Sequence, residues 1–320
     1  MTSWLVTGGA GYIGAHVVKA LRDQDEQVVV LDDLTTGRPD RVGDAPLVRG
    51  SVLDAELVDA TIREHRIGGI IHIAAKKQVG ESVERPLYYY RENVGGLLNL
   101  LDAAVANSVG SLVFSSSAAT YGMPDVACVT EDIPTVPLSP YGETKVVGEW
   151  LGRATAAATD LRVISLRYFN VAGAASPQLG DPAVLNLIPL ALRALTSGES
   201  PKIFGDDYPT PDGTCIRDYV HVADVADAHV RALEHLSNGG DSAVYNIGRG
   251  EGSSVREVLT LLAEVTGITT PPQVVRRRPG DPARIVASAD RIRDELGWTA
   301  RYDLREIVES SWAAWSSSTD

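Results

Sequence analysis

A glycine-rich segment near the start of the chain constrains the fold more than any other part of the sequence. Residues 6–14 read VTGGAGYIG, with a short apolar run before them and a helix-like amphipathic segment after them. Glycines at this spacing let the backbone turn tightly and approach a pyrophosphate at a helix N-terminus, where unpaired N–H groups face the ligand. The segment therefore predicts a dinucleotide site that includes Gly8, Gly11 and Gly14.

A carboxylate at the end of the next apolar run indicates which dinucleotide is bound. Asp32 closes the run 28–32, which is the second strand of the expected strand–helix–strand unit. A carboxylate there accepts hydrogen bonds from the adenosine ribose diol and repels a 2′-phosphate. We therefore expect NAD rather than NADP.

Short apolar runs alternate with helical periodicity through the first half of the chain, as in parallel sheets that helices cover on both faces. The predicted strands are residues 4–7, 28–32, 47–50, 69–73, 111–115 and 161–166. The predicted helices of this half are residues 12–22, 54–64, 87–107 and 141–158. The pattern predicts an α/β fold with a doubly wound parallel Rossmann sheet.

The character of the sequence changes after about residue 170. Residues 172–182 and 204–214 are rich in Gly, Pro, Asp and Ser, which indicates long loops. Four further helices are expected at about 221–236, 255–266, 288–296 and 304–316. We expect residues 1–170 to form the NAD-binding domain. Residues 171–320 should form mainly a smaller C-terminal α/β substrate lobe, with some later elements returning to the first domain.

The charge and the cysteine content exclude several classes of partner. The formal net charge over 320 residues is −13, so neither nucleic acid nor a membrane surface is an expected partner. Two cysteines cannot form a disulfide framework, and no metal site is predicted. No apolar run approaches the ~18 residues of a membrane span, and the first residues lack the pattern of a targeting segment. We expect a cytoplasmic protein.

Two of the predicted helices carry wide apolar stripes. The stripes consist of Val94, Leu97, Leu98, Leu101 and Val105 on one helix, and of Val147, Leu151, Ala154 and Ala158 on the other. Such stripes usually face the core of the protein. The alternative is that part of a stripe forms a dimer interface between pairs of helices.

A serine, a tyrosine and a lysine form the candidate catalytic group. Ser117 follows the fifth predicted strand, and Tyr141 and Lys145 occupy positions i and i+4 of one helix face. An ammonium beside the phenol, together with the positive nicotinamide ring, is expected to lower the pKa of Tyr141 toward neutrality. Tyr141 can then remove a proton from a hydroxyl group while a hydride leaves for NAD⁺, and Ser117 can position that hydroxyl.

These motifs resemble the extended short-chain dehydrogenase/reductase family, and within it the 4-epimerases that interconvert UDP-glucose and UDP-galactose. The similarity extends over essentially the whole chain. It rests on residues 6–14, 31–34, 77–82, 89–95, 115–118, 121–122, 139–145, 166–170, 203–222, 245–255 and 277–281. The most diagnostic stretch is IFGDDYPTPDGT at 203–214, which runs into RDYVHV at 217–222.

The resemblance implies a role for each matching residue. The cofactor contacts that it implies are Gly8, Gly11, Tyr12, Ile13, Gly14, Asp32, Asp33, Leu34, Thr35, Thr36, Ser51, Val52, Ala74, Ala75, Lys77, Asn93, Ser115, Tyr141, Lys145 and Phe169. The UDP-sugar contacts that it implies are Ser117, Tyr141, Asn170, Asn186, Leu187, Phe204, Arg217, Arg278 and Asp281. It also implies tightly bound NAD, a transient 4-keto sugar and a homodimer.

Some positions depart from the family pattern. Ser51 stands where the family often has an aspartate that contacts adenine, which predicts a weaker or rearranged contact. Ile285 stands near a position where a large aromatic residue restricts the sugar pocket to plain hexoses. Activity on N-acetylated UDP-sugars therefore stays open, as does an epimerase or decarboxylase activity on UDP-glucuronate.

Two other functions remain as alternatives. A nucleotide-sugar 4,6-dehydratase needs an acid pair beside the catalytic serine, but Ala118 and Ala119 follow Ser117 here. A non-catalytic NAD(H)-binding regulator would keep the fold, but such proteins usually lose the tyrosine or the lysine, and both are present.

Overall fold

The computed structural model describes residues 3–278 and 280–317. Its strands are β1 (Ser3–Thr7), β2 (Gln27–Asp32), β3 (Leu47–Arg49), β4 (Ile67–His72), β5 (Ser111–Ser115), β6 (Arg162–Tyr168), β7 (Asn170–Ala172), β8 (Lys202–Phe204), β9 (Ile216–His221), β10 (Ala243–Ile247), β11 (Gly252–Ser254), β12 (Gln273–Val275) and β13 (Arg284–Ile285). Its α-helices are α1 (Tyr12–Arg22), α2 (Ala55–Glu64), α3 (Val79–Glu84), α4 (Pro86–Tyr89), α5 (Gly96–Ala106), α6 (Pro140–Ala158), α7 (Leu187–Thr196), α8 (Val222–Ser237), α9 (Val255–Thr266), α10 (Asp290–Leu296) and α11 (Leu304–Ser317).

A seven-stranded parallel sheet forms the centre of the molecule, with the strand order β10-β6-β5-β4-β1-β2-β3. The chain order reverses between β1 and β4, and ligands of such sheets bind at the carboxyl ends of the strands beside this reversal. Thr7 at the end of β1 pairs with Leu31 on one side and with His72 on the other. The predicted doubly wound α/β fold is confirmed.

Apolar side chains cover both faces of this sheet. On one face, α1 and α8 pack through residues such as Val17, Leu21 and Val225. On the other face, α2 and α5 pack through residues such as Ile62 and Leu100. Buried strands between two helical layers explain why β1, β2 and β4 read as nearly continuous apolar runs.

The later part of the chain contributes to both the main sheet and a smaller group of elements. Strand β10 pairs with β6 in the main sheet, and α8 packs against α1. Strands β7, β9, β11 and β13 form a second sheet, and β8 pairs with β12. Helices α7, α9 and α11 surround a third apolar cluster. Helix α7 follows a predicted loop and was not predicted from the sequence.

The prediction of a buried apolar stripe is wrong for α6. This helix turns Gly148 and Gly152 toward Phe114 and Val163 of the sheet, because a Cβ at either glycine would lie within 3 Å of those side chains. The predicted stripe does not face the sheet, since Val147 and Leu151 are half-buried and Ala154 and Ala158 are exposed. On α5, Leu97 and Leu101 are buried, whereas Leu98 and Val105 are exposed.

Candidate active site

The glycine turn between β1 and α1 has the geometry that an anionic ligand requires. Gly8 has a left-handed φ of +71°, and a Cβ at Gly14 would lie 2.1 Å from the Gly8 carbonyl oxygen. Gly11 precedes α1 without a side-chain cap, and the first turn of α1 carries no acidic residue. The N–H groups and the partial positive charge of this helix terminus are therefore available to a pyrophosphate. These residues fit a dinucleotide.

Asp32 connects the glycine turn to the loop after β2. Its two carboxylate oxygens accept hydrogen bonds from the backbone N–H of Ala10 at 2.9 Å and of Leu34 at 2.8 Å. Burial raises its pKa, and these two amides oppose the shift. Each oxygen keeps a further lone pair for a ribose hydroxyl. Asp33, Thr35 and Thr36 follow on the exposed part of the loop.

The segment after β4 forms the opposite wall of this site, with Ala74 and Ala75 half-buried. Buried Asn93 holds the segment: its side chain accepts from the Lys76 N–H at 2.8 Å and donates to the Lys76 carbonyl at 3.0 Å. The same amide donates to the Thr144 hydroxyl, which fixes the wall to α6. Asn93 therefore holds the segment after β4, which contains Ala74 and Ala75, in place.

Ser51, which replaces the aspartate that the family often has, lies in a hydrogen-bonded turn after β3. The Ser51 hydroxyl accepts from the Leu53 N–H at 3.1 Å, and the Asn99 amide donates to the Val52 carbonyl at 3.1 Å. Both Ser51 and Val52 are half-buried. A serine here supplies a shorter and uncharged side chain in place of a carboxylate.

The structure brings Ser117, Tyr141 and Lys145 together at the carboxyl end of β5. Helix α6 begins at Pro140, and the Ser139 side chain caps it by accepting from the Gly142 N–H. The Ser117 side chain lies close enough to the Tyr141 phenol to lower its pKa. The Lys145 ammonium lies 5.8 Å from the centroid of the Tyr141 ring and donates to the Ser115 carbonyl at 2.7 Å.

Burial determines the direction of both pKa shifts in this group. Desolvation raises the pKa of Tyr141, and the Ser117 hydrogen bond opposes it. Desolvation lowers the pKa of Lys145 to about 8, and Glu149 opposes it. In the chain alone, desolvation of the phenolate outweighs the Lys145 ammonium, which points to the Ser115 carbonyl. The predicted lowering of the Tyr141 pKa also involves the positive nicotinamide ring, and for the NAD-bound protein it stays a prediction.

Sequence reasoning missed a buried carboxylate beside this group. Glu149 follows Lys145 by one helical turn and is 8% exposed. It accepts a hydrogen bond from Ser116 and forms a two-pronged ion pair with Arg167. The spacing of Tyr141, Lys145 and Glu149 along one helix face was the available signal.

Two of the predicted substrate residues, Arg278 and Asp281, line a cleft of about 700 Å³. Residues 205–208, 274–278, 280 and 281 line this cleft. The Arg278 guanidinium stacks 3.7 Å from the centroid of the Phe204 ring, and Arg217 forms an ion pair with Asp281. Arg277 instead stacks on Tyr208 and pairs with Asp207. Arg278 thus offers a cationic group at the cleft, and Arg217 is linked to the cleft through the lining residue Asp281.

Short strands connect the cleft to the catalytic group. Asn170, exposed at the start of β7, pairs with Tyr219 of β9, and Ile285 of β13 pairs with Arg217. Phe169 lies in a small apolar cluster with Ala118 and Ile285. Ile285 therefore packs near the Ser117 segment, on the strand next to Arg217. Asn186 is exposed beside the half-buried Leu187, at the start of α7.

Residues 3–278 and 280–317 contain neither a metal-binding cluster nor a membrane-spanning helix. No group of His, Cys, Asp and Glu side chains in this part of the chain could hold a metal ion. None of its helices is both long and apolar enough to cross a membrane.

Comparisons with known proteins agree with this geometry. The sequence model of the NAD dependent epimerase/dehydratase family matches residues 4–248. The chain belongs to this family. Membership of the family confirms the resemblance that the motifs indicated.

Individual members of the family are similar over the full length of the chain. The UDP-glucose 4-epimerase of Azospirillum brasilense is 48% identical over 321 aligned positions, which cover 99% of this chain and 92% of that protein. The structure of Brucella ovis UDP-glucose 4-epimerase in complex with NAD gives a TM-score of 0.95 at 40% identity and covers 98% of both chains. The structure of Bifidobacterium longum UDP-glucose 4-epimerase in complex with NAD⁺ and UDP gives a TM-score of 0.93 at 35% identity, and the alignment covers 99% of both chains.

Proposed function

We propose that the protein interconverts UDP-glucose and UDP-galactose by inverting C4 through a transient 4-keto sugar, with NAD as a retained cofactor. The observation that carries this proposal is the grouping of Ser117 with the buried Tyr141 and Lys145, at the sheet edge that also holds the glycine turn. Full-length similarity to proteins named UDP-glucose 4-epimerase supports the choice of substrate.

NAD would lie across the carboxyl ends of the strands. The glycine turn and α1 would hold its pyrophosphate, and Asp32 its adenosine ribose. The wall of Ala74, Ala75 and Lys77 would run along the nicotinamide half, with Phe169 beside the ring. When bound, NAD supplies the acceptor and donor of the C4 hydride.

The chain's own residues move the proton and hold the substrate. Tyr141 takes the proton of the C4 hydroxyl at its phenolic oxygen, while Ser117 positions that hydroxyl. Lys145 stabilises the phenolate that forms. Arg217 and Arg278 bind the diphosphate, and exchange of the Asp281 contact for phosphate oxygens would give Arg217 a two-pronged partner. Binding energy on UDP holds the substrate while the sugar ring turns.

This assignment also implies which part of the chain would bind each ligand. Residues 1–170 would mainly hold NAD, and residues 171–320 would mainly hold the UDP-sugar. Ala118 and Ala119 supply no acid beside Ser117, which weighs against a dehydratase. Two free cysteines and the absence of a membrane-spanning helix among the described residues are compatible with a cytoplasmic location, which we propose.

The experiment that tests the proposal is incubation of purified protein with UDP-galactose, without added NAD. We expect UDP-glucose to form, and the absorbance of reduced nicotinamide to rise transiently. Unchanged UDP-galactose, with NAD bound and no absorbance response, would instead favour a binding regulator. UDP-glucuronate in a parallel reaction tests the decarboxylase alternative.

Epimerisation of UDP-N-acetylhexosamines is a second candidate, and Ile285 favours it. This residue is half-buried in the apolar cluster with Phe169 and Ala118, next to the catalytic segment, where its side chain leaves more room than an aromatic ring. UDP-N-acetylgalactosamine belongs in the same set of incubations. Conversion of this sugar by the wild type, and its loss in Ile285→Tyr, would establish the wider pocket.

Removal of the Asp32 charge should reduce the preference for NAD. In Asp32→Asn the side chain keeps its shape, but it no longer repels a 2′-phosphate. We expect the ratio of NAD to NADP affinity to fall by about tenfold, which corresponds to about 1.4 kcal/mol. Competition between the two nucleotides during reconstitution measures this ratio. Asp23→Asn, which alters an exposed carboxylate at the C-terminal end of α1, is the matched control, and an unchanged ratio in Asp32→Asn contradicts the assignment.

We propose that the protein is a homodimer joined through α5 and α6. Trp150 of α6 is 55% exposed, and Leu98 and Val105 of α5 are 43% and 40% exposed. Large apolar side chains exposed on two neighbouring helices are typical of an interface. The double variant Leu98→Asp/Trp150→Asp should sediment as a monomer, because each charge would have to be desolvated at the interface.

The matched control for the dimer is Met123→Asp, a loop residue that is 51% exposed. This variant should sediment like the wild type. A wild-type protein that sediments as a monomer, or a double variant that stays dimeric, would overturn the proposed interface.

A further inference from the structure

A buried ionic cluster lies directly behind the catalytic group. Glu149 accepts a hydrogen bond from the fully buried Ser116 at 2.5 Å. The same carboxylate accepts two hydrogen bonds from the Arg167 guanidinium, at 2.8 Å and 2.6 Å. Both charged side chains are less than 10% exposed. The cluster therefore ties helix α6 to the ends of strands β5 and β6.

The cluster continues to the far side of the Ser117 segment. Arg167 donates to the Tyr121 hydroxyl at 2.8 Å, and Tyr121 donates in turn to the Asn246 side chain at 2.7 Å. Ser117 thus lies between two anchored positions of the chain, Ser116 and Tyr121. A hydrogen-bonded, buried network of this kind restricts the backbone more than an apolar contact does, because every member has a defined direction.

The cluster also acts on Lys145. The Lys145 ammonium donates to the carbonyl of Ser115, the residue before the anchored Ser116. Glu149 lies one turn along the same helix and opposes the lowering of the Lys145 pKa by burial.

Other titratable groups around Lys145 carry no charge near neutral pH. Burial lowers the pKa of His72 on β4 to about 3 and of His229 on α8 to about 4. Tyr141 on α6 and Tyr168 on β6 have pKa values raised by burial. Glu149, with its partner Arg167, is therefore the charged group whose field acts on Lys145 from α6.

We propose that Glu149, clamped by Arg167 and bonded to Ser116, is a positioning residue for the catalytic group. It holds the strand end that carries Ser117 and the carbonyl that orients Lys145. This inference rests on the proposed function. A buried ion pair of this kind contributes little net stability compared with an apolar replacement. Positioning of the end of strand β5 therefore explains the ion pair better than a gain in stability does.

The cleanest test is Ser116→Ala, which removes one hydrogen bond and leaves the ion pair intact. We expect kcat to fall by roughly tenfold to a hundredfold, with KM for the UDP-sugar within about twofold of wild type, because misplaced catalytic atoms affect the transition state. Ser111→Ala is the matched control, since Ser111 is buried at the other end of the same strand. Wild-type kcat in Ser116→Ala would overturn the proposal.

A second variant tests the electrostatic part. Glu149→Gln keeps an acceptor for Ser116 but leaves Arg167 without its carboxylate. The loss of the negative charge and the unpaired positive charge of Arg167 both lower the pKa of Lys145. We expect the alkaline limb of the pH profile of kcat to move to lower pH, whereas Ser116→Ala should leave it in place. An unmoved limb in folded Glu149→Gln would contradict this part.

A measurement without substrate distinguishes failure of the proposed role of Glu149 from failure of the proposed epimerase function. The titration of Lys145 in the NAD-bound protein can be followed by NMR of labelled lysine side chains, with Lys145→Arg for assignment. A shift of the Lys145 pKa in Glu149→Gln supports the electrostatic part even if the wild type epimerises none of the tested UDP-sugars, an outcome that would count only against the proposed function. No shift would overturn the electrostatic part whatever the substrate.

Discussion

Replacement of Tyr141 by phenylalanine is expected to lower kcat for UDP-galactose epimerisation by about 10²–10⁴-fold, the range of a lost general acid–base group. The phenol is buried, lies near Ser117 and is close to the Lys145 ammonium, and no other hydroxyl in the group has a lysine at helical spacing. The ring would keep its packing in Tyr141→Phe. Bound NAD per chain should therefore stay near the wild-type value, as measured after denaturation of the purified protein.

Tyr245→Phe is the matched control for this change. Tyr245 is equally buried, and its hydroxyl donates to Glu295, outside the proposed active site. Loss of that bond is expected to cost about 1 kcal/mol of stability and to leave kcat unchanged. Near wild-type turnover in Tyr141→Phe would refute the role of this residue, and an equal loss in both variants would indicate a general effect of removing a buried hydroxyl.

Local patterns were sufficient to predict the main sheet. Strand β5 and helices α1 and α9 have the predicted bounds, because each combines a strong period with clear start and stop residues. Helix α7 was missed because it follows a loop-like segment and begins at Leu187 without a side-chain cap from Asn186. The expected helix 87–107 contains a π-helical segment at Tyr90–Gly95, which places Asn93 against the wall of the cofactor site.

The geometry of the candidate site was most directly predictable where its members are neighbours in sequence. The glycine turn and the Tyr141–Lys145 pair each lie within one element, so their spacing alone indicated their geometry. The ion pairs Glu149–Arg167 and Arg217–Asp281 join distant segments, and sequence spacing does not encode such contacts. The direction of the Tyr141 pKa shift in the chain alone was also out of reach, because it depends on burial, which only the folded chain determines.

A methyl group at Gly14 is expected to abolish retention of NAD. The Cβ of Gly14→Ala would lie 2.1 Å from the Gly8 carbonyl oxygen and 2.7 Å from the Gly9 Cα, and both are backbone atoms that cannot rotate away. The turn would have to open, which moves the amides that face the pyrophosphate. We expect bound NAD per chain to fall by at least about tenfold, and the free energy of unfolding to fall by about 1–3 kcal/mol.

Gly110→Ala separates this effect from a general cost of adding a methyl group. Gly110 lies just before β5, at the opposite end of the sheet, and the first atom that its Cβ would meet is 4.0 Å away. That variant should keep both its NAD and its stability, or gain slightly through a less flexible unfolded chain. Full NAD content in Gly14→Ala would mean that the cofactor does not depend on the close approach of α1 to the turn. Loss of NAD in Gly14→Ala alone would locate the pyrophosphate at this turn, because the two substitutions are chemically identical and differ only in what the new methyl group meets.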